Sequence, residues 1–150
     1  MPKMIKELDL LCKYYKEYDD VFKKYSTKIN FPEASFWVLY GAYIFEKPCT
    51  QYKLCSEWYY SKQTINSSVN KLVKDGMIEL KPIPEDIRNK KEIVLTHKGE
   101  EFCEQYIKPV VEAETRAFLS LSKHEQELLL SLTKQHTDNL ILEMNKLGGL

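Results

Sequence analysis

Ser61-Lys62-Gln63-Thr64-Ile65-Asn66-Ser67-Ser68-Val69-Asn70-Lys71-Leu72 runs into Val73-Lys74-Asp75-Gly76-Met77-Ile78, and this stretch decides the fold. Ile65, Val69, Leu72 and Val73 recur at helical steps and mark one thin buried edge. Ser61 suits the N-cap, and Gly76 suits the left-handed residue that closes a helix. The rest of the helix offers amide, hydroxyl and lysine side chains. Met77 to Lys81 and Glu92 to Leu95 follow, with Ile78, Leu80, Ile93 and Leu95 alternating inward as in a hairpin. The loop Pro84-Glu85-Asp86-Ile87-Arg88-Asn89-Lys90-Lys91 forms a charged tip, which Pro82 and Pro84 are expected to keep off the sheet. A polar helix backed by a basic-tipped hairpin can enter one groove of DNA and reach the next.

Outward from this centre the chain is helical. Ile5, Leu8, Leu11, Cys12, Tyr15, Tyr18, Phe22 and Tyr25 step by threes and fours over residues 3 to 28. Asn30-Phe31-Pro32 breaks that run, and Pro32 is expected in the first turn of a second helix. That helix carries Phe36, Trp37, Leu39, Tyr40, Tyr43 and Ile44 and stops near Lys47-Pro48. Thr50 caps a short third helix, Gln51 to Trp58. Thr96 caps a fifth helix starting near His97 and reaching toward Leu119, with Pro109 inside it to bend or break its ladder. Ser122-Lys123-His124-Glu125 is a capping box for a last helix, whose broad apolar face runs from Leu128 to Leu147.

The expected fold is mainly α with a small β-hairpin wing. Residues 32–96 form a winged helix-turn-helix core within a single domain of 150 residues. The ends, 1–30 and 97–150, are too long and too apolar to fold back on so small a core. They are expected to be dimerisation helices that pair with a second copy.

Net charge is zero, so no global field draws the chain to nucleic acid. Its distribution is uneven. Residues 61–96 hold seven Lys and Arg against five acids, while residues 97–150 hold six against nine. No apolar run approaches the roughly 20 residues of a membrane span. The first residues lack the pattern of a secretory signal, and the expectation is a cytoplasmic protein without a membrane partner. Cys12, Cys49, Cys55 and Cys103 have no paired spacing and are expected to be thiols. His97, His124 and His136 do not cluster, so no metal site is expected. Five glycines, no phosphate-cradling loop and no nucleophile elbow leave little for an enzyme or a bound cofactor.

The ordered series of segments resembles the MarR family of transcriptional regulators. The likeness rests on Trp37-Val38-Leu39-Tyr40, Thr50-Gln51-Tyr52-Lys53-Leu54 and Ser61-Lys62-Gln63-Thr64-Ile65-Asn66. It continues through Leu72-Val73-Lys74-Asp75-Gly76-Met77-Ile78, Glu85-Asp86-Ile87-Arg88 and Val94-Leu95-Thr96-His97-Lys98-Gly99. It covers residues 32 to 104 strongly and the terminal helices by pattern. The resemblance implies homodimers formed through the first and last helices, and pseudo-palindromic DNA operators. It also implies, in many members, release by a small molecule or by oxidation of a cysteine. The family wing often carries an Asp-Arg-Arg run, whereas Ile87 follows Asp86 here.

Gln63, Ser67, Asn70 and Lys74 should point away from the buried edge, flanked by Thr64 and Asn66. Amides donate and accept together and so match the major-groove edge of adenine, while hydroxyls read several bases. Ser61 and Lys62 stand at the helix N-terminus, which favours a phosphate. Arg88 is the expected minor-groove contact, with Lys90 and Lys91 behind it. Taken alone, such a polar face is the ordinary solvated side of a surface helix; the hairpin directly behind it favours duplex DNA. The rival reading is a winged helix used only for protein contact, motivated by the neutral charge.

Aromatic residues crowd the first 43 positions, among them Tyr14, Tyr15, Tyr18, Phe22, Tyr25, Phe31, Phe36, Trp37, Tyr40 and Tyr43. They could line a pocket for a small aromatic or lipophilic effector. For any given ring, core and dimer packing is the favoured reading. Cys12 lies where oxidation-sensing relatives keep a reactive cysteine, but its spacing to the second helix matches poorly, and a small buried hydrophobe is the simpler role.

Overall fold

The computed structural model describes residues 4–58, 60–84, 88 and 90–148. The chain divides into two compact units, one ending at Ile107 and one beginning at Lys108.

The first unit opens with α1 (Lys6–Lys28), followed by α2 (Glu33–Ile44), α3 (Gln51–Trp58) and α4 (Lys62–Lys74). Strands β1 (Ile78–Pro82) and β2 (Lys91–Leu95) pair antiparallel, from Ile78 opposite Leu95 to Pro82 opposite Lys91. A short α5 (His97–Phe102) then widens into a π-helical turn, Cys103–Ile107. Asn30 takes a positive φ of 51° where α1 ends. Pro32 sits one residue earlier than expected, at the N-cap of α2, where its carbonyl accepts from Phe36 N–H at 2.9 Å.

Helix α2 is the centre of this unit. Its burial extends beyond its large side chains: Ser35, Phe36, Val38, Leu39, Tyr40, Gly41 and Ala42 are all buried. A helix enclosed on most sides is covered by other elements all round. Gly41 permits one of those contacts: a methyl group there would lie 2.4 Å from Leu54 Cδ2 and about 3 Å from the ring of Trp58. Leu54, Ile65, Val69, Leu72, Ile78 and Ile93 complete the core and tie α3, α4 and the hairpin to α2.

One expectation about the hairpin changes. Pro82 is not in the loop but closes β1 opposite Lys91, and Ile83 N–H still donates to Lys90 O at 3.3 Å. A proline fits there because it is the last residue of an edge strand, where a missing donor is tolerated. Thr50 forms an isolated bridge with Glu92, and Ile93 N–H donates to Cys49 O at 2.7 Å, so the segment before α3 rests against β2 beside the two-stranded hairpin. Pro84 lies in the loop as expected.

The second unit contains α6 (Lys108–Leu119) and α7 (Lys123–Asn145). Ser122 Oγ accepts from Glu125 N–H at 3.3 Å and Glu125 Oε2 accepts from Ser122 N–H at 2.7 Å, which completes the capping box. Neither helix buries a residue. Leu128, Leu129, Leu132, Leu140, Ile141 and Met144 all stand exposed on α7.

Candidate nucleic-acid interface

Helix α4 has two faces of opposite chemistry. Ile65, Val69 and Leu72 are buried. The fourth position of the expected edge differs: Val73 is 41% exposed, and Ser68 is buried instead. Ser68 lies one step before Val69 and turns toward the core, whereas Val73 rotates past it. Gln63, Asn66, Ser67, Asn70 and Lys74 are exposed, as are Ser61, Lys62 and Thr64. The helix therefore offers amides and hydroxyls over its outer side, with a single valine among them.

The N-terminus of α4 is closed by its own side chains. Ser61 Oγ accepts from Thr64 N–H at 3.1 Å and shares a 2.7 Å hydrogen bond with Thr64 Oγ1. Ser61 is thus spent on capping, and Thr64 is held against it rather than pointing freely outward. At the other end, Gly76 adopts φ 70°, as a left-handed C-cap requires. Lys71 Nζ reaches Asp75 at 2.8 Å, and that hydrogen bond holds the Asp75 carboxyl below its ordinary value. Lys98 Nζ donates to Asp75 O at 2.7 Å, which links the end of α4 to α5.

The hairpin is anchored at the C-terminal end of α4. Thr96 Oγ1 donates to Gly76 O at 2.6 Å and accepts from Gly99 N–H at 3.1 Å, joining the end of the wing to the end of α4. The basic side chains of the wing separate into two groups. Arg88 is exposed in the loop. Lys90 and Lys91, with Thr50, Gln51 and Tyr52, line a cleft of about 240 Å³ beside the first turn of α3. Lys90 Nζ lies 4.5 Å from the centre of the Tyr52 ring. Glu85, Asp86, Ile87 and Asn89 of the expected tip lie outside the described residues.

Thr50, Gln51 and Tyr52 were absent from the site expected from the sequence. Tyr52 is 63% exposed beside a lysine of the wing, and its place just after the Thr50 cap was the available signal. The bulky rings of the first unit pack on one another. Trp37 meets Phe22 at 5.0 Å and Trp58 at 5.4 Å between ring centres, and Trp58 meets Phe45 at 4.8 Å. An open groove of about 720 Å³ is lined by His97, Glu100, Glu101, Glu104 and Gln105, none of them aromatic. Among the described residues no His, Cys, Asp and Glu group could hold a metal ion, and no helix is long and apolar enough to cross a membrane.

Residues 30–88 match the model of the MarR family and take in most of the segment, 32 to 104, on which the sequence resemblance rests. The fold is also that of solved MarR structures. A MarR family regulator from Neisseria meningitidis superimposes with a TM-score of 0.78 at 21% identity, over 95% of this chain and 99% of that one. A MarR/EmrR family regulator from Acinetobacter sp. ADP1 gives 0.70 at 18% identity, over 91% and 98%. MepR of S. aureus, solved as a complex with DNA, gives 0.70 at 17% identity, over 91% and 99%. Identities this low establish the fold alone. No curated protein matches the chain.

Proposed function

We propose that the protein is a homodimeric, sequence-specific DNA-binding transcriptional regulator that acts as a repressor on a pseudo-palindromic operator. One observation carries this reading. The outer side of α4 is built of Gln63, Asn66, Ser67 and Asn70, while its inner side is fixed to the core and its C-terminal end to the base of the wing and to α5. A rigid rod bearing amides can present two-point contacts to adenine in the major groove. Lys62 at its first turn, Lys74 at its last and Lys91 at the wing add positive charge along the same element pair, where phosphates would be neutralised. Arg88 would enter the flanking minor groove.

The match to the MarR family over residues 30–88 supports this assignment, as does the likeness to a protein solved on DNA. The second copy is inferred from the second unit. A 23-residue helix with exposed leucines on several sides needs a partner surface. Two such chains would place their α4 helices on half-sites about one helical turn apart.

The zero net charge favours the rival, a winged helix that binds only protein. A gel-shift titration with A·T-rich duplexes separates the two. Saturable binding at physiological salt supports the regulator, and no binding at low salt supports the rival. A small aromatic or lipophilic effector belongs to the same proposal. A thermal-shift screen with phenolic compounds tests it, and no stabilised hit would leave the aromatic residues as packing alone.

A further inference from the structure

Tyr52 is the second residue of α3 and is 63% exposed, so burial does not account for a ring at that position. The wing comes to it instead. The ammonium of Lys90 lies 4.5 Å from the ring centre. Lys90 is also the last described rung of the hairpin, since its carbonyl accepts from Ile83 N–H beyond the pair of Pro82 and Lys91. Further along β2, Glu92 bridges Thr50 and Ile93 N–H donates to Cys49 O. Three successive attachments of the wing thus fall on one short segment, Cys49 to Tyr52. The first two are backbone contacts inside the ladder. The third, at the free end, is made by side chains.

We propose that Tyr52 is a positioning residue whose ring holds Lys90 and so fixes the outer end of the wing against the first turn of α3. The negative face of an aromatic ring attracts an ammonium group, and the contact needs no hydroxyl. A two-stranded arm held only at its base would sweep a wide arc and would lose that freedom on binding. With Lys90 clamped, the arm beyond it starts close to one direction. Lys90 then acts through Tyr52 rather than as a separate phosphate ligand. That this clamp serves duplex binding rests on the function proposed above.

Two measurements on the full chain test it. The first needs no DNA: amide hydrogen exchange followed by NMR. In Tyr52→Leu and in Lys90→Met, the Ile83 amide should exchange several-fold faster than in the wild type, and in Tyr52→Phe it should not change. Unaltered exchange in Tyr52→Leu would overturn the clamp. The second is a double-mutant cycle on a duplex selected from a random pool by the wild type. Each single variant should bind about two- to five-fold more weakly, as expected for an exposed cation–π contact, and the double variant should be no weaker than either single one. Multiplying losses would show that Tyr52 and Lys90 meet the duplex separately, which contradicts the proposal. A wild type that selects no duplex would refute the DNA-binding reading, and the exchange data would still decide the clamp.

Discussion

Gly99 has no room for a methyl group. A Cβ there would lie 2.0 Å from the carbonyl oxygen of Met77, which is held in place by Thr96 N–H at 3.1 Å. Backbone must shift to admit it, so Gly99→Ala should cost about 1–3 kcal/mol or more, read from urea denaturation. An unchanged midpoint would contradict the close approach of α5 to the end of α4. The buried thiols make a second prediction. Burial pushes Cys49 up to about 11 and Cys103 up to about 12, from an ordinary value near 9. Both stay protonated in the fold where the unfolded chain would ionise. Their contribution to stability is therefore intact below pH 9 and is lost as pH rises from about 9 toward 11 and 12. A Cys49→Ala, Cys103→Ala variant should show a flatter decline over that window. Arg88 is the residue on which the proposed wing contact depends. Arg88→Ala should weaken operator binding and reduce the slope of log affinity against log salt by about 1. Unchanged affinity across a salt series would remove the wing from the interface.

The caps were the most legible part of the chain at the scale of elements. Thr50, Ser61, Thr96 and Ser122 all carry the hydroxyl that receives the expected backbone N–H. A cap is a local signal, fixed by one side chain and the three residues after it, so it survives without tertiary context. The prediction that belongs here is Ser122→Ala. It should cost about 1 kcal/mol in stability, and Glu125→Gln, which keeps an acceptor for the Ser122 N–H, should cost less. Features that depend on neighbours were harder to read. Val73 and Ser68 exchange burial because the direction of the α4 edge is set by α2 and α3, not by hydrophobicity alone. Pro82 joins the sheet because its position is an edge, which sequence does not label. Pro109 was expected to disturb its helix. The disturbance is found just before it, as the π-helical turn Cys103–Ile107, where Tyr106 O accepts from Tyr25 Oη–H at 3.0 Å. A proline cannot donate to the carbonyl four residues back, and a widened turn is one way a helix absorbs that loss. The clamp of Lys90 on Tyr52 was not legible at all, because it joins residues 38 positions apart through a ring and a flexible stem.

At the scale of the whole molecule, the apolar side chains of α7 are the clearest demand for a partner. Leu128, Leu132, Leu140 and Ile141 are each about half exposed in one chain. Burying each in an interface would contribute on the order of 1 kcal/mol or more. The protein should therefore run in solution at about twice the 17.7 kDa of one chain. Replacing Leu132 and Ile141 by Glu should shift it toward that single mass while circular dichroism keeps the helical signal of the first unit. The site expected from the sequence also acquires an order at this scale. Gln63, Asn66, Ser67 and Asn70 share one exposed helix surface, Thr64 turns back to Ser61, and Lys90 is engaged by α3. The central claim is that the amide surface of α4, carried by a twofold pair, reads duplex DNA. The most direct measurement is a fluorescence anisotropy titration of the full protein on a duplex selected from its source genome, with Gln63→Ala, Asn70→Ala run beside it. The account predicts saturation at two chains per duplex, affinity that falls as salt rises, and at least a tenfold loss in the double variant. Equal binding by the variant, or no saturable binding by the wild type at low salt, would contradict it.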